Sequence, residues 1–161
     1  MILQKETSTV SSALSTMTSP SPLETQYKRV FNAPPALVWQ ALTDPTHLPH
    51  WWGLRANTMR VEAHDLRPGG AWRYVETDPK GEEFVFYGTF QEVVPHERLV
   101  YTFEYEPWAG HVIVETVTLI DLGAQTLVRN RSRFATQEDL DGMVEAGMEF
   151  GANEGWDRLE E

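Results

Sequence analysis

The chain has 161 residues, 41% of them hydrophobic, with six Trp, five Tyr and seven Phe, enough for one globular domain with a substantial core. The absence of cysteine excludes disulfides, thiolate metal sites and cysteine nucleophiles together, and suits a cytoplasmic protein. No run approaches the roughly 20 apolar residues of a membrane span, and a net charge of −11 lacks the basic footprint that nucleic acid requires. Membrane and nucleic acid are therefore not expected as partners. The charge is uneven: Ala135 to Glu161 carries nine acids and one base, a net of −8, which leaves −3 for everything upstream. Such a run reads as the solvated back of an amphipathic helix, with a docking face for a basic partner as the alternative.

Residues 1–22 hold ten Ser or Thr between Thr7 and Ser21, with Pro20 and Pro22, and read as a flexible leader in which Met17 is a second candidate start. Residues 23–161 form the single domain. Glu24 to Asn32 predicts a strand with Tyr27, Arg29 and Phe31 on one face. Pro34-Pro35 then opens a short helix, Ala36 to Thr43, with Leu37, Val38, Ala41 and Leu42 inward. Asp44-Pro45 breaks it, and Thr46 to Trp52 forms a second short helical piece ending at Gly53. Six strands follow: Met59–Leu66, Ala71–Glu76, Glu83–Val94, Leu99–Glu106, Val112–Asp121 and Gln125–Phe134. Short turns join them, so they are expected to be antiparallel neighbours.

Thr136 is the expected N-cap of a terminal helix, with Asp139 three residues on. Leu140, Met143, Val144, Met148 and Leu159 approximate one buried face, yet Gly142, Gly147, Gly151 and Gly155 interrupt it. Each interior glycine costs roughly 0.5–1 kcal/mol relative to alanine, so the helix needs space along that side. A ligand cavity is the first explanation and close backbone packing the second. The fold class is α+β, a seven-stranded antiparallel sheet whose apolar face only the long C-terminal helix can cover.

The order of elements resembles the helix-grip fold of the SRPBCC, START and Bet v 1-like superfamily. Within it, the chain is most similar to bacterial proteins related to the C-terminal domain of the activator of Hsp90 ATPase. The resemblance rests on Ala33-Pro34, Val38-Trp39, Leu42-Thr43-Asp44-Pro45 and Trp51-Trp52-Gly53. It continues through Asp65-Leu66-Arg67-Pro68-Gly69-Gly70, Gly88, Val94-Pro95, Glu97-Arg98-Leu99-Val100 and the segment Gly142 to Met148. It implies a hydrophobic cavity between a curved sheet and the long helix.

Strand alternation points Trp72 and Tyr74 inward, as it does Tyr101, Phe103 and Tyr105, and Phe84, Phe86 and Phe90. Met143 and Met148 face these rows from the helix, beside Gly147. Aromatic rows and methionine also suit a packed core; their number opposite a glycine-rich helix favours a lined cavity. Val117 and Leu119 set Ile113, Glu115 and His111 on the inner face, and Val128 sets Asn130 and Ser132 there. A buried carboxylate needs partners, which makes Glu115 the leading polar anchor or general base, with a one-residue register slip as the alternative. Asn130 is placed to bind a ligand carbonyl or hydroxyl, or to satisfy backbone.

His47 and His50 stand three apart beside Trp51-Trp52, with no third ligand nearby, so no metal is expected. This cluster, Trp52 included, is expected instead to cap the short helix and gate the cavity mouth. The Gly69-Gly70 turn leads into a strand and not a helix, which argues against a phosphate site, and no cofactor is expected. Three functions remain open. The first is binding of a small hydrophobic ligand, aromatic or polycyclic, on Trp52, Trp72, Tyr74, Phe86, Tyr101, Phe103, Glu115, Asn130, Met143, Gly147 and Met148. The second is a cyclase- or hydratase-like enzyme using Glu115 with His111 or a pocket Tyr. The third is an interaction module acting through the acidic helix face. Trp108 beside Pro107 reads as a homodimer contact or as an ordinary loop.

Overall fold

The computed structural model describes residues 16–145 together with 156, 157 and 159. Its elements in chain order are β1 (Thr16–Ser21), β2 (Glu24–Phe31), α1 (Pro35–Thr43), α2 (Leu48–Trp51), β3 (Thr58–His64), β4 (Ala71–Thr77) and β5 (Glu83–Val94). There follow β6 (Arg98–Tyr105), a single 3-10 turn at Glu106–Trp108, β7 (Ile113–Asp121), β8 (Thr126–Phe134) and α3 (Gln137–Glu145). The sheet runs β1-β2-β8-β7-β6-β5-β4-β3, every neighbouring pair antiparallel. The meander from β3 to β8 thus returns to the start of the domain, where β2 and β8 pair from Glu24↔Arg133 to Phe31↔Thr126.

The seven expected strands are joined by an eighth. Thr16–Ser21, read from the sequence as part of a flexible leader, pairs with β2 through Thr16↔Lys28, Met17↔Tyr27 and Thr18↔Gln26. An edge strand takes its stability from the backbone groups of its neighbour, so polar composition alone does not reveal it. The structure also corrects one inward position of α1. Val38, Trp39 and Thr43 are buried, whereas Leu37 is 56% exposed. The helix meets the sheet along the i, i+4 line of Trp39 and Thr43, and Leu37 lies off that line.

Alternation divides the sheet. Tyr27, Arg29 and Phe31 of β2, Trp72 and Tyr74 of β4, Val117 and Leu119 of β7, and Val128 of β8 are buried on the inner face. The other face of β8 carries Arg129, Arg131 and Arg133, which border an outer groove with Arg98. Basic charge therefore gathers on the back of the sheet while the acids concentrate near the C-terminus.

Thr136 caps α3 as its sequence predicts, its Oγ1 accepting the Asp139 N–H at 3.1 Å. Leu140 packs on Ile113 and Phe134. Gly142 faces Trp108, whose ring atoms lie 3.7 and 3.8 Å from where a Cβ would sit, an ordinary contact. This glycine therefore abuts the Trp108 loop and not an open cavity. Gly147, Met148, Gly151 and Gly155 lie outside the described residues.

Near the chain end, Trp156 sets its ring edge-on against Tyr27 and Phe31, with centroids at 6.3 and 5.8 Å. Asp157 pairs at 2.8 Å with Arg29, which is only 2% exposed. Leu159 joins the same core. These contacts fasten the C-terminal segment to β2. Truncating Trp156 to Ala should remove about 3–5 kcal/mol of stability, read as a lowered urea midpoint; an unchanged midpoint would show the clasp to be idle.

Candidate ligand site

The inner face of β4, β5 and β6 brings large rings together because each strand places an aromatic at alternate positions. Trp72 packs 4.7 Å from Tyr74, 5.8 Å from Tyr101 and 5.8 Å from Phe103. From above, α1 and α2 contribute Trp39, Leu42, Leu48, Trp51 and Trp52. Trp52 meets Tyr74 at 5.3 Å and Phe86 at 5.1 Å. Between these walls remains a void of about 60 Å³. Among the described residues its cover comes from α1 and α2; the part of the terminal helix expected to cover it, with Gly147 and Met148, lies outside them.

Two backbone features hold this arrangement. Gly88 of β5 lies opposite Trp72, and a Cβ there would fall 1.9 Å from the Thr102 carbonyl oxygen and 2.8 Å from Trp72 Nε1. The missing side chain lets the indole reach across and donate to Thr102 O at 3.1 Å. Gly53, at φ +85°, follows Trp52 and lies against the Glu76 carboxylate, which also accepts from Leu54 N at 2.9 Å and Asn57 Nδ2 at 2.7 Å. Glu76 is thus a buried post to which the loop after α2 is tied.

The polar end of the void is His64 with Tyr74. Imidazole Nε2 lies 2.7 Å from the Thr43 carbonyl oxygen, and Nδ1 lies 2.7 Å from the Tyr74 hydroxyl. A carbonyl only accepts, so Nε2 carries the proton. Burial lowers the His64 pKa, against the opposing pull of the Thr43 hydrogen bond, Asp44 and Asp65. In the resulting neutral ring Nδ1 is an acceptor, and the Tyr74 hydroxyl donates to it. Desolvation raises the phenol pKa, keeping Tyr74 protonated. Phe90, edge-on at 5.5 Å, fixes the imidazole from the other side.

His64 is not legible in the sequence as a site residue. Strict alternation from Met59 through Val61 puts Ala63 on the inner face. A bulge between Val61 and Ala63 inserts one residue, so that His64 comes opposite Trp72 and turns inward. His64 also lines an open cleft with Ala36, Gln40, Asp44 and His96. Trp39, Thr43, His64 and Leu66 border both spaces and form the partition between them.

Glu115 occupies a separate polar nest on β7, beside Tyr101 in register. Ser132 Oγ reaches its two oxygens at 3.0 and 2.7 Å, and Asn130 Nδ2 donates at 3.1 Å. Asn130 Oδ1 finds no partner among the described residues. Burial pushes the Glu115 carboxyl up to about 7, the two neighbours pulling the other way.

Residues 32–161 match the family described as Activator of Hsp90 ATPase homolog 1-like protein. The chain belongs to this family. Three solved structures carry the same fold. A Rhodobacter sphaeroides protein is 25% identical with a TM-score of 0.83, over 91% of this chain and 95% of its own. One from Arthrobacter aurescens is 26% identical with a TM-score of 0.83, over 90% and 88%. One from Nitrosomonas europaea is 28% identical with a TM-score of 0.78, over 87% and 93%. No curated protein matches the chain.

In this member of the Hsp90 ATPase activator-like family, the predicted site residues separate into groups. Trp52, Trp72, Tyr74, Tyr101 and Phe103 line the void, and Phe86 packs behind Trp52. Glu115 and Asn130 are joined to each other. His111 stands apart: its side chain is 55% exposed and its Nδ1 lies 2.8 Å from Asp139 Oδ1. It precedes β7, so strand alternation no longer governs it, and the pairing of Glu115 with His111 is not formed. Met143 lies with His111 at a small recess beside Trp108. Trp108 itself, 46% exposed, rests over Gly142. Among the described residues no helix is long and apolar enough to cross a membrane.

Two outcomes test this geometry. Gly88→Ala should cost about 2 kcal/mol or more by forcing strand and indole apart, measured by urea denaturation. The folded-state pKa of Glu115 lies above its ordinary 4.5, so its proton is held more tightly after folding. Its stabilising contribution is full below pH 4.5 and is lost as pH rises to about 7, a change of about 3 kcal/mol. Glu115→Gln should flatten that slope and exceed the parent's stability at pH 8; equal pH profiles would refute the assignment.

Proposed function

We propose that the protein binds a small apolar ligand bearing an aromatic ring in the void under α1 and α2, admitted from the neighbouring cleft. The family's fold is a ligand-binding scaffold. The observation that carries the reading is the thin partition: Trp39, Thr43, His64 and Leu66 separate an aromatic-lined void from solvent. Ligand sites are mostly apolar with a few polar groups that fix orientation, and here Thr43, His64 and Tyr74 at one end and Tyr101 in the wall offer them.

The volume limits the ligand. A void of about 60 Å³ is well below the roughly 150 Å³ that accepts benzene in an engineered cavity. A ring therefore enters only as the partition parts and void and cleft merge, and a polycyclic ligand requires a larger opening still. The enzyme reading loses Glu115 with His111 as its acid–base pair, because His111 is bonded to Asp139 at the surface, and keeps Glu115 with a pocket tyrosine, Tyr101 opposite it in register.

Titration with p-xylene, followed through the tryptophan indole N–H resonances, tests the reading. Saturable shifts at Trp52 and Trp72 are expected. Leu66→Trp, which fills the partition, should weaken them at least tenfold while the circular dichroism spectrum is preserved. Absence of saturable shifts in the parent protein, or indifference to Leu66→Trp, would overturn it.

A further inference from the structure

We propose that Tyr74, backed by His64, selects ligands that present a hydroxyl hydrogen-bond donor, such as a phenol, enol or alcohol, and discriminates against ligands that can only accept. The inference deepens the ligand reading above and rests on it. It follows from the direction of the hydrogen bonds. Thr43 O fixes the proton on His64 Nε2, so Nδ1 takes the single Tyr74 proton at 2.7 Å. The phenol has no second proton to give. Its oxygen lone pairs accept from no group among the described residues, although Tyr74 is 5% exposed and lines the void. A buried oxygen with free accepting capacity favours an O–H at Tyr74 over a bare carbonyl or ether, which finds no proton there and has only Tyr101, the other phenol lining the void, to turn to.

The alternative in which Tyr74 turns its proton toward the ligand is disfavoured by the imidazole. Turning the hydroxyl away leaves Nδ1 without its donor in a buried setting. The ring cannot flip to compensate, because Cε1 would then face Thr43 O and Cδ2 the phenol, and both hydrogen bonds would be lost. Stacking against Tyr74 at 5.9 Å and edge contact with Phe90 at 5.5 Å hold the imidazole in place. Thr43, the acceptor at the far end, is itself placed by its own Oγ1, which donates to Trp39 O at 2.7 Å. The chain of polarity therefore runs from ligand hydroxyl to Tyr74, to His64, to the C-terminal end of α1.

Three probes of similar shape separate the possibilities: p-xylene, p-cresol and 4-methylanisole, titrated against the intact chain by the same indole resonances. The parent protein should bind p-cresol roughly tenfold more tightly than p-xylene, and 4-methylanisole no more tightly than p-xylene. Tyr74→Phe should bring the ratio of p-cresol to p-xylene affinity to within about twofold. His64→Leu frees the Tyr74 proton, so 4-methylanisole should gain on p-xylene there, an inversion that simple loss of packing does not produce. If p-xylene binds the parent but p-cresol shows no advantage, or if the advantage survives Tyr74→Phe, this inference is wrong and the ligand site stands. If none of the three binds the parent, the ligand site falls and the inference with it.

Discussion

The structure turns on keeping water from one aromatic sheet face. Trp72, Tyr74, Phe86, Phe90, Tyr101 and Phe103 project from three adjacent strands in mutual ring contact. Fully burying even one large side chain is worth roughly 1.5–3 kcal/mol, so the cover over this face is an energetic necessity. The short pair α1 and α2 supplies it with Trp39, Leu48, Trp51 and Trp52. The loop behind them is tied down by Glu76, and the C-terminal segment adds Trp156 against β2. Gly88 makes the opposite concession, removing a side chain so that the Trp72 indole can reach across β5 to β6.

Polar groups under such a cover must each be answered locally. Arg29 is answered by Asp157, Glu76 by the backbone of Leu54 and the side chain of Asn57, and Glu115 by Ser132 and Asn130. The first two fasten the C-terminal segment and the loop after α2 to the sheet and thereby serve the fold. Glu115 is answered less completely, and its raised pKa is the thermodynamic trace of that shortfall. His64 and Tyr74 differ again: they satisfy each other and Thr43, yet leave an accepting oxygen at the wall of the void. Structural pairs close on themselves. This one remains open on one side.

Much of the architecture could be read from residues alone because it is written in alternation and turn chemistry. Val117 and Leu119 correctly placed Glu115 inward, and Val128 did the same for Ser132. The element order and the motifs from Ala33 to Met148 indicated the family that residues 32–161 match. The failures occur where alternation stops being the governing rule. A bulge at β3 reverses the faces and brings in His64; the end of β7 releases His111 to the surface; an edge strand at Thr16–Ser21 draws on pairing and not on composition. Leu37 was misplaced because a nine-residue helix presents a narrow stripe, and hydrophobicity does not say which residues occupy it.

The β3 bulge connects these observations. Without the extra residue, position 64 would face solvent, and nothing polar would stand between void and cleft on that side. With it, one imidazole contacts the phenol within and the carbonyl at the end of α1 without. Bulges re-aim side chains at the cost of a locally broken ladder. Here the break lies on the last strand of the sheet, where β3 has a neighbour on one side only and a disrupted pairing disturbs no second strand. The edge position makes the bulge tolerable, and the bulge puts a polar gate beside the void. On the ligand reading proposed above, opening falls to α1, the end of β3 and the β3–β4 turn, which bear the partition, while the paired strands behind the aromatic wall remain intact.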